Sequence, residues 1–150
     1  MERTYTIGEL ALMTGFTDRT LRNYLTQGIL KGSKINGAWR FTVKDIEEFR
    51  TDSYVKEGLR IKRSSVVFDF LAEKHKTASR SCLILDVPCT LPESNALSAF
   101  FCKQMETAAD VIFTYDWYPS VGRVILSGSA EGIAKIMTAY EEMKNEKSAL

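Results

Sequence analysis

The sequence contains little of what catalytic and metal sites usually require. Its single histidine, His75, lies between two lysines, which is typical of a solvated helix end. Three cysteines, Cys82, Cys89 and Cys102, follow no C-x-x-C spacing, so each is interpreted as a small buried hydrophobic residue rather than as a thiolate ligand. We therefore predict that the protein is not an enzyme and that it holds no metal and no cofactor.

Long apolar runs are absent as well. No segment approaches the roughly 20 consecutive apolar residues that span a bilayer. The first residues, Glu2-Arg3-Thr4-Tyr5, lack the apolar core of a signal peptide. An odd number of cysteines in a chain without a secretory signature favours reduced thiols. These features predict a cytoplasmic protein with no membrane contact.

The net charge of +1 conceals an uneven distribution. Residues 1–63 contain 12 Lys and Arg against 8 Asp and Glu, a balance of +4, whereas residues 64–150 contain 8 against 11, a balance of −3. Between positions 18 and 40 a single carboxylate faces five cations, which are Arg19, Arg22, Lys31, Lys34 and Arg40. A basic half followed by an acidic half predicts that only the first contacts a polyanion.

Two short helices with cap residues open the chain. Thr6 and Glu9 form the pattern of a capping box before the helix Ile7–Met13, which Gly15 ends. Thr17 is the predicted N-cap of a second helix, which ends at Gly28. This spacing predicts a helix-turn-helix, with an ordinary helical hairpin as the alternative.

The second helix has one apolar and one polar face. Leu21 and Leu25 share the first, while Arg19, Arg22 and Asn23 share the second at i, i+3, i+4 spacing. Arginine and asparagine side chains on a short helix can contact base edges in a major groove. We therefore predict this helix as the DNA-recognition element.

A basic hairpin follows. Asn36-Gly37 is a strong hairpin-turn dipeptide, so strands are predicted over Lys31–Ile35 and Ala38–Thr42, as a β-wing. Thr42 is the predicted cap of a third helix. Its apolar side chains repeat at helical spacing and are predicted to pack on the first two helices: Val43, Ile46 and Phe49.

Residues 5–50 resemble the winged helix-turn-helix of the MerR family and the related excisionase-type domains. The matching segments, in chain order, are Tyr5-Thr6-Ile7-Gly8-Glu9-Leu10-Ala11, Thr20-Leu21-Arg22-Asn23-Tyr24, Gly28-Ile29-Leu30, Gly37-Ala38-Trp39-Arg40-Phe41 and Asp45-Ile46-Glu47. The resemblance implies that the second helix enters the major groove and that the wing follows the DNA backbone. It further implies that Arg22 and Tyr24 contact DNA and that Arg40 meets a phosphate.

Residue patterns and resemblance together give one predicted DNA-binding set: Thr17, Arg19, Thr20, Arg22, Asn23, Tyr24, Lys31, Lys34, Trp39 and Arg40. Two features depart from the MerR pattern. The sequence Ala38-Trp39-Arg40 shifts the wing register by up to a residue, and no long heptad helix is predicted after residue 50. These departures favour an excisionase-like domain or another means of dimerisation.

The second half resembles no family. Residues 51–63 are predicted as a connector ending in a basic cluster, and Ser65 as the cap of a helix to about His75, with a strand over Val66–Phe70 as the alternative. The remaining predicted elements are a strand over 81–87, a helix after Thr90, strands Val111–Tyr118 and Gly122–Ser127, and a helix after Ser129.

These elements predict an α+β protein. A winged helix-turn-helix at 1–50 and a linker at 51–63 precede a small α/β domain at 64–150, with element order α-β-α-β-β-α and a three-stranded sheet. Asp86 and Asp116 are interpreted as solvated strand-end carboxylates. The run Tyr115-Asp116-Trp117-Tyr118 is either ordinary core with an exposed edge or the wall of a pocket or subunit interface.

Two functions fit the sequence. The first is a transcriptional regulator that binds double-stranded DNA as a homodimer through residues 64–150, where a small-molecule or protein effector can also bind. The second is an excisionase-like DNA-architecture or recombination accessory factor. A palindromic DNA site favours the first, and tandem direct repeats favour the second.

Overall fold

A computed structural model describes residues 3–118 and 120–148, and the chain forms two units, residues 1–65 and 66–150. The described helices are α1 (Ile7–Thr14), α2 (Asp18–Gln27), α3 (Val43–Thr51), α4 (Ser53–Ala72), α5 (Leu91–Gln104) and α6 (Ala130–Ser148). The described strands are β1 (Thr4–Thr6), β2 (Ser33–Ile35), β3 (Ala38–Thr42), β4 (Arg80–Pro88), β5 (Val111–Tyr118) and β6 (Val121–Ser129). The predicted mixture of helix and sheet is confirmed, whereas the predicted domain and linker boundaries remain a prediction.

The first unit contains a three-stranded sheet that the sequence analysis did not predict in full. Its order is β1-β3-β2, and both pairs are antiparallel. Tyr5 of β1 lies opposite Phe41 of β3, and both side chains are buried. Strand β1 therefore joins the start of the chain to the hairpin that lies some 35 residues later.

Both capping boxes of this unit form as predicted. The Thr6 hydroxyl accepts from the Glu9 backbone N–H, and the Glu9 carboxylate accepts from the Thr6 N–H, both at 3.0 Å. Thr42 and Asp45 repeat this reciprocal arrangement at the start of α3. Such boxes satisfy backbone donors that a helix start leaves unpaired.

Helix α4 corrects the prediction for residues 51–72. A connector over 51–63 and a new element starting near Ser65 were expected, but the helix is continuous from Ser53 to Ala72. Its start signal is Asp52, whose Oδ1 accepts from the backbone N–H groups of Tyr54 (3.0 Å) and Val55 (3.2 Å). A 20-residue helix therefore stands where a connector was expected, and the alternative strand over 66–70 is helix. That no long heptad helix of the MerR type follows residue 50 stays a prediction.

The second unit is an antiparallel sheet of order β4-β6-β5, with β6 in the centre. One face of the sheet contacts helix α5, since the rings of Phe101 and Phe113 stack at 6.0 Å. Tyr140 of α6 lies 5.6 Å from the same Phe101 ring. The buried side chains of this core include Leu97, Phe113, Val124, Leu126, Ile133 and Ile136.

A buried hydrogen bond links α5 to β5 within this core. The hydroxyl groups of Ser94 and Tyr115 lie 2.6 Å apart, and both residues are buried. Gly122 of β6 leaves the space for this hydroxyl, because a Cβ added at Gly122 would lie 2.3 Å from it and 3.1 Å from Leu97 Cδ2. A side chain at position 122 therefore forces the tyrosine or its neighbours to move.

Gly122→Ala is expected to lower the free energy of unfolding of the second unit by about 1–3 kcal/mol, because the added methyl overpacks the core. Urea denaturation followed by Trp117 fluorescence, in a Trp39→Phe background, measures the change. Adding Tyr115→Phe removes the closest obstacle, so the alanine is expected to cost less in that variant. If Gly122→Ala lowered the free energy of unfolding equally with and without Tyr115→Phe, this explanation would be contradicted.

Candidate nucleic-acid interface

The connection between α1 and α2 is short and internally hydrogen-bonded. The Thr14 hydroxyl donates to the Leu10 carbonyl at 2.7 Å and accepts from the Phe16 backbone N–H at 3.2 Å. Thr17 then caps α2, where its hydroxyl accepts from the Thr20 N–H at 3.1 Å. These bonds fix where α2 begins relative to α1.

A cluster of aromatic rings packs on the buried face of helix α2. Tyr24 on α2, Phe16 from the turn and Phe49 on α3 meet edge to face, with ring centroids 5.5 to 6.3 Å apart. We call these three residues the aromatic cluster. Leu21, one turn before Tyr24, is fully buried on the same helix. The apolar face of α2 is therefore fixed in the core of the first unit.

The opposite face of α2 carries the predicted recognition side chains. Arg19, Arg22 and Asn23 are all exposed, as their helical spacing predicted. Arg22 Nε donates to Asp18 Oδ2 at 2.6 Å in an i, i+4 ion pair whose side chains are more than half exposed. An exposed pair of this kind contributes roughly 0.3–0.5 kcal/mol. Arg22 can therefore leave Asp18 for a DNA base or a phosphate at a small cost in free energy.

The sequence analysis did not anticipate the packing of Tyr24. Its ring belongs to the aromatic cluster and also lies 6.4 Å from the ring of Tyr54. Burial, followed by the nearby Tyr54 and Asp52, raises the pKa of Tyr24. A phenol is protonated at neutral pH even without this shift, so the Tyr24 hydroxyl can donate a hydrogen bond.

The β2–β3 hairpin turns at Asn36 and Gly37, as predicted. Both residues have positive φ, 51° and 80°, which is the conformation of a two-residue type I′ turn. Every residue of β2 is exposed. The hairpin therefore projects backbone and side chains into solvent.

The cations of the hairpin are oriented by neighbouring residues. Lys34 Nζ lies 5.3 Å from the centroid of the Trp39 ring, and that ring stacks at 6.4 Å on buried Phe41. Arg40 Nε donates to Thr4 Oγ1 of β1 at 3.0 Å. Thr4 was missing from the predicted site, and only its β-branched and aromatic neighbourhood hinted at the strand that positions it.

The predicted set thus falls into three groups. Thr17 and Thr20 are bonded to each other in the cap at 2.9 Å. Within the described part of the chain, Arg19, Lys31 and Lys34 form no ion pair, so their charges are not neutralised by a carboxylate. Asn23 is exposed beside Arg22, and the remaining members take part in the contacts given above: Arg22, Tyr24, Trp39 and Arg40. Their individual contacts with DNA remain predictions.

The other side chains considered in the sequence lie in the second unit. Cys102 is buried and Cys82 half-buried, and burial raises the pKa of the Cys82 thiol. His75 is exposed. Over residues 3–118 and 120–148 no group of three or more His, Cys, Asp or Glu is arranged to hold a metal ion.

The two aspartates lie on either side of Arg123 in the sheet. Arg123 donates to both carboxylate oxygens of Asp86 at 2.7 and 2.9 Å. These hydrogen bonds hold the pKa of Asp86 below its ordinary value. Asp86 is exposed, but Asp116 is buried, so the prediction of two solvated carboxylates is wrong for Asp116.

The aromatic run at 115–118 contributes mainly to the core. Tyr115 and Trp117 are both buried, with ring centroids 5.6 Å apart. The side chain of Tyr118 lies outside the described residues. The interpretation as ordinary core therefore applies to Tyr115 and Trp117.

Residues 4–54 match a family model described as a helix-turn-helix domain, of an excisionase-like family. The match confirms the predicted resemblance for this part of the chain and indicates a DNA-binding domain. The C-terminal half is not recognised. No curated protein and no solved structure matches the chain significantly. Among the described residues, no helix is both long and apolar enough to cross a membrane.

Variants of Tyr24 separate its packing from any contact with DNA. Tyr24→Ala is expected to lower the free energy of unfolding by about 2 kcal/mol, because it removes a half-buried ring from the aromatic cluster. Tyr24→Phe keeps the ring and is expected to change stability by less than about 0.5 kcal/mol. Calorimetric melting of both variants tests the packing. If Tyr24→Ala lowers the free energy of unfolding no more than Tyr24→Phe does, the ring does not hold α2 in place.

Proposed function

We propose that this protein is a non-enzymatic transcriptional regulator of MerR-like type that binds double-stranded DNA at specific sequences. Helix α2 enters the major groove, and the β2–β3 hairpin acts as a wing on the DNA backbone. The observation that supports this most directly is the face of Arg19, Arg22 and Asn23, which is exposed on a helix whose other face is fixed in the core.

The side chains on α2 suit base contacts. Arginine can donate two hydrogen bonds to guanine, and asparagine can pair with adenine in the same groove. Arg22 is held near its position by Asp18 before DNA arrives, and that ion pair is weak enough to be exchanged. We therefore assign sequence discrimination to this helix.

The hairpin suits phosphate contacts. Lys34 is exposed on a strand that is wholly exposed, and it forms no ion pair with the residues that the structure describes. Arg40 is anchored to β1 through Thr4, which fixes its guanidinium at the base of the hairpin. Cations in such places increase affinity for any duplex and orient the recognition helix, but they carry no sequence information.

We propose that the protein acts as a homodimer through residues 64–150. One helix-turn-helix covers few base pairs, and two copies related by a two-fold axis contact paired half-sites. The negative balance of this half, −3 over residues 64–150, keeps it away from DNA phosphates. An effector that binds this half would act on the geometry of the dimer.

An excisionase-like accessory role is the second candidate, because the matched family is of that kind. In that case the chain would bend or bridge DNA for a recombination complex. Tandem direct repeats in the bound DNA would favour this role, whereas an inverted repeat favours the regulator.

Arg22→Ala is expected to reduce the free-energy difference between specific and non-specific binding by about 1–3 kcal/mol, the value of a direct base contact. Fluorescence anisotropy with the bound site and with an unrelated duplex at one salt concentration measures this ratio. An equal loss on both duplexes would reassign Arg22 to a phosphate. An unchanged affinity on both would remove α2 from the interface.

Lys34→Ala is expected to weaken binding to every duplex equally and to reduce the slope of log affinity against log salt by about one unit. The matched control is Lys103→Ala, which removes an exposed lysine from α5 in the second unit. Salt titrations of both variants supply the measurement. The assignment of the hairpin to phosphate contact would be contradicted if Lys34→Ala left the slope of log affinity against log salt unchanged. It would also be contradicted if Lys103→Ala altered this slope equally.

A further inference from the structure

Strand β4 is an outer strand of the second unit's sheet, and half of its backbone groups point away from β6. The Ser79 carbonyl accepts from the Ala130 N–H at 3.0 Å, and the Cys89 N–H donates to the Ser120 carbonyl at 3.0 Å. Odd-numbered residues therefore direct their backbone groups toward β6. Because backbone groups alternate along a strand, the even-numbered residues 80–86 present theirs at the open edge.

This edge carries few of the features that keep outer strands from pairing. β4 pairs with β6 over nine residues without a bulge, and no lysine lies within it. Its one proline, Pro88, stands at the last position. Natural outer strands usually interrupt such an edge with charges, prolines or bulges.

The side chains of β4 are also incompletely covered on both faces. Leu83 and Leu85 point to the helix-covered face, yet neither is buried. Ile84, on the other face, is 54% exposed. The other outer strand differs, because β5 is buried on both faces over residues 113–117. Apart from Ile112, which is 59% exposed on β5, the apolar surface that the two outer strands leave open therefore lies at β4.

We propose that β4 pairs antiparallel with β4 of a second copy, about a two-fold axis at Leu83, to form one continuous six-stranded sheet. This proposal deepens the proposed function, because it names the interface of the dimer. In this register Arg80 of each copy lies opposite Asp86 of the other, so opposite charges meet twice across the axis. Cys82 lies opposite Ile84 on the same face.

The backbone supports the same register independently of the charges. Both opposed pairs, 80 with 86 and 82 with 84, consist of even-numbered residues whose N–H and C=O groups face the open edge. Each pair can therefore exchange two backbone hydrogen bonds. A two-fold axis at Ile84 instead would oppose Arg80 to Pro88, which has no N–H to donate and no charge.

Asp86 has the capacity for this second partner. Its carboxylate already accepts from Arg123, but its side chain is 46% exposed and a carboxylate offers about four acceptor positions. Arg80 of the second copy would extend this ion pair into a row along one face of the joined sheet. The self-complementary order of charges is the reason to favour a second copy over an unrelated strand.

The first test is the mass of the full-length chain in solution without DNA, measured by sedimentation. The unmodified protein is expected to be a dimer at micromolar concentrations. Ile84→Lys places a charge in the middle of the interface and is expected to weaken the dimer at least about tenfold. The matched control is Ile112→Lys on β5, which is 59% exposed on the same sheet face and should leave the dimer intact.

The second test uses cysteine cross-linking, which reports the register itself. In a background of Cys82→Ser and Cys89→Ser, Leu83→Cys places two thiols opposite each other in a pair without hydrogen bonds, about 4.5 Å apart at Cα, within disulfide range. Oxidation with diamide is expected to link the copies. Leu85→Cys, which faces Ser81 of the other copy, is expected to link poorly.

Three results would overturn the proposal: a monomeric unmodified chain, an Ile84→Lys variant as dimeric as Ile112→Lys, or equal cross-linking from positions 83 and 85. A monomeric chain would also contradict the proposed homodimer, but none of the three bears on DNA recognition by the first unit, because no DNA is present. A chain that dimerises through β4 but binds all duplexes equally would instead contradict the proposed function alone.

Discussion

The aromatic cluster of Phe16, Tyr24 and Phe49 is the constraint on which the first unit depends. Its rings come from the turn before α2, from α2 itself and from α3, so one set of edge-to-face contacts holds three segments together. A domain of this size buries little apolar area, and large aromatic side chains supply much of it. The exposed face of α2 has a defined direction because the cluster fixes the buried face.

The β1–β3 pairing extends this constraint to the hairpin. Tyr5 and Phe41 face each other in the core, and Thr4 accepts the hydrogen bond that positions Arg40. The recognition helix and the hairpin are therefore parts of one folded unit. In the proposed function this rigidity matters, because contacts to phosphates position a helix only if helix and hairpin move together.

Local chemistry explains what could be predicted from the sequence. The caps at Thr6, Thr17 and Thr42 and the turn at Asn36-Gly37 depend on residues within four positions of each other, and all of them form. Strand β1 depends on a partner far along the chain, so its only local signal was the β-branched and aromatic character of its three residues. For α4 a signal existed in Asp52, but the polar composition of residues 53–63 was interpreted as a connector. The burial of Asp116 depends on three-dimensional neighbours that spacing does not provide. The Arg22–Asp18 pair, by contrast, has the i, i+4 spacing that a helix brings together, so its signal was present in the sequence.

In the proposed function the first unit recognises particular sequences in duplex DNA. The decisive measurement is selection of bound duplexes from a random pool, with the mass of the selected complex determined by native mass spectrometry. We expect an enriched inverted repeat bound by two copies of the chain. A bound pool with no sequence enriched over the starting DNA would contradict the proposed function.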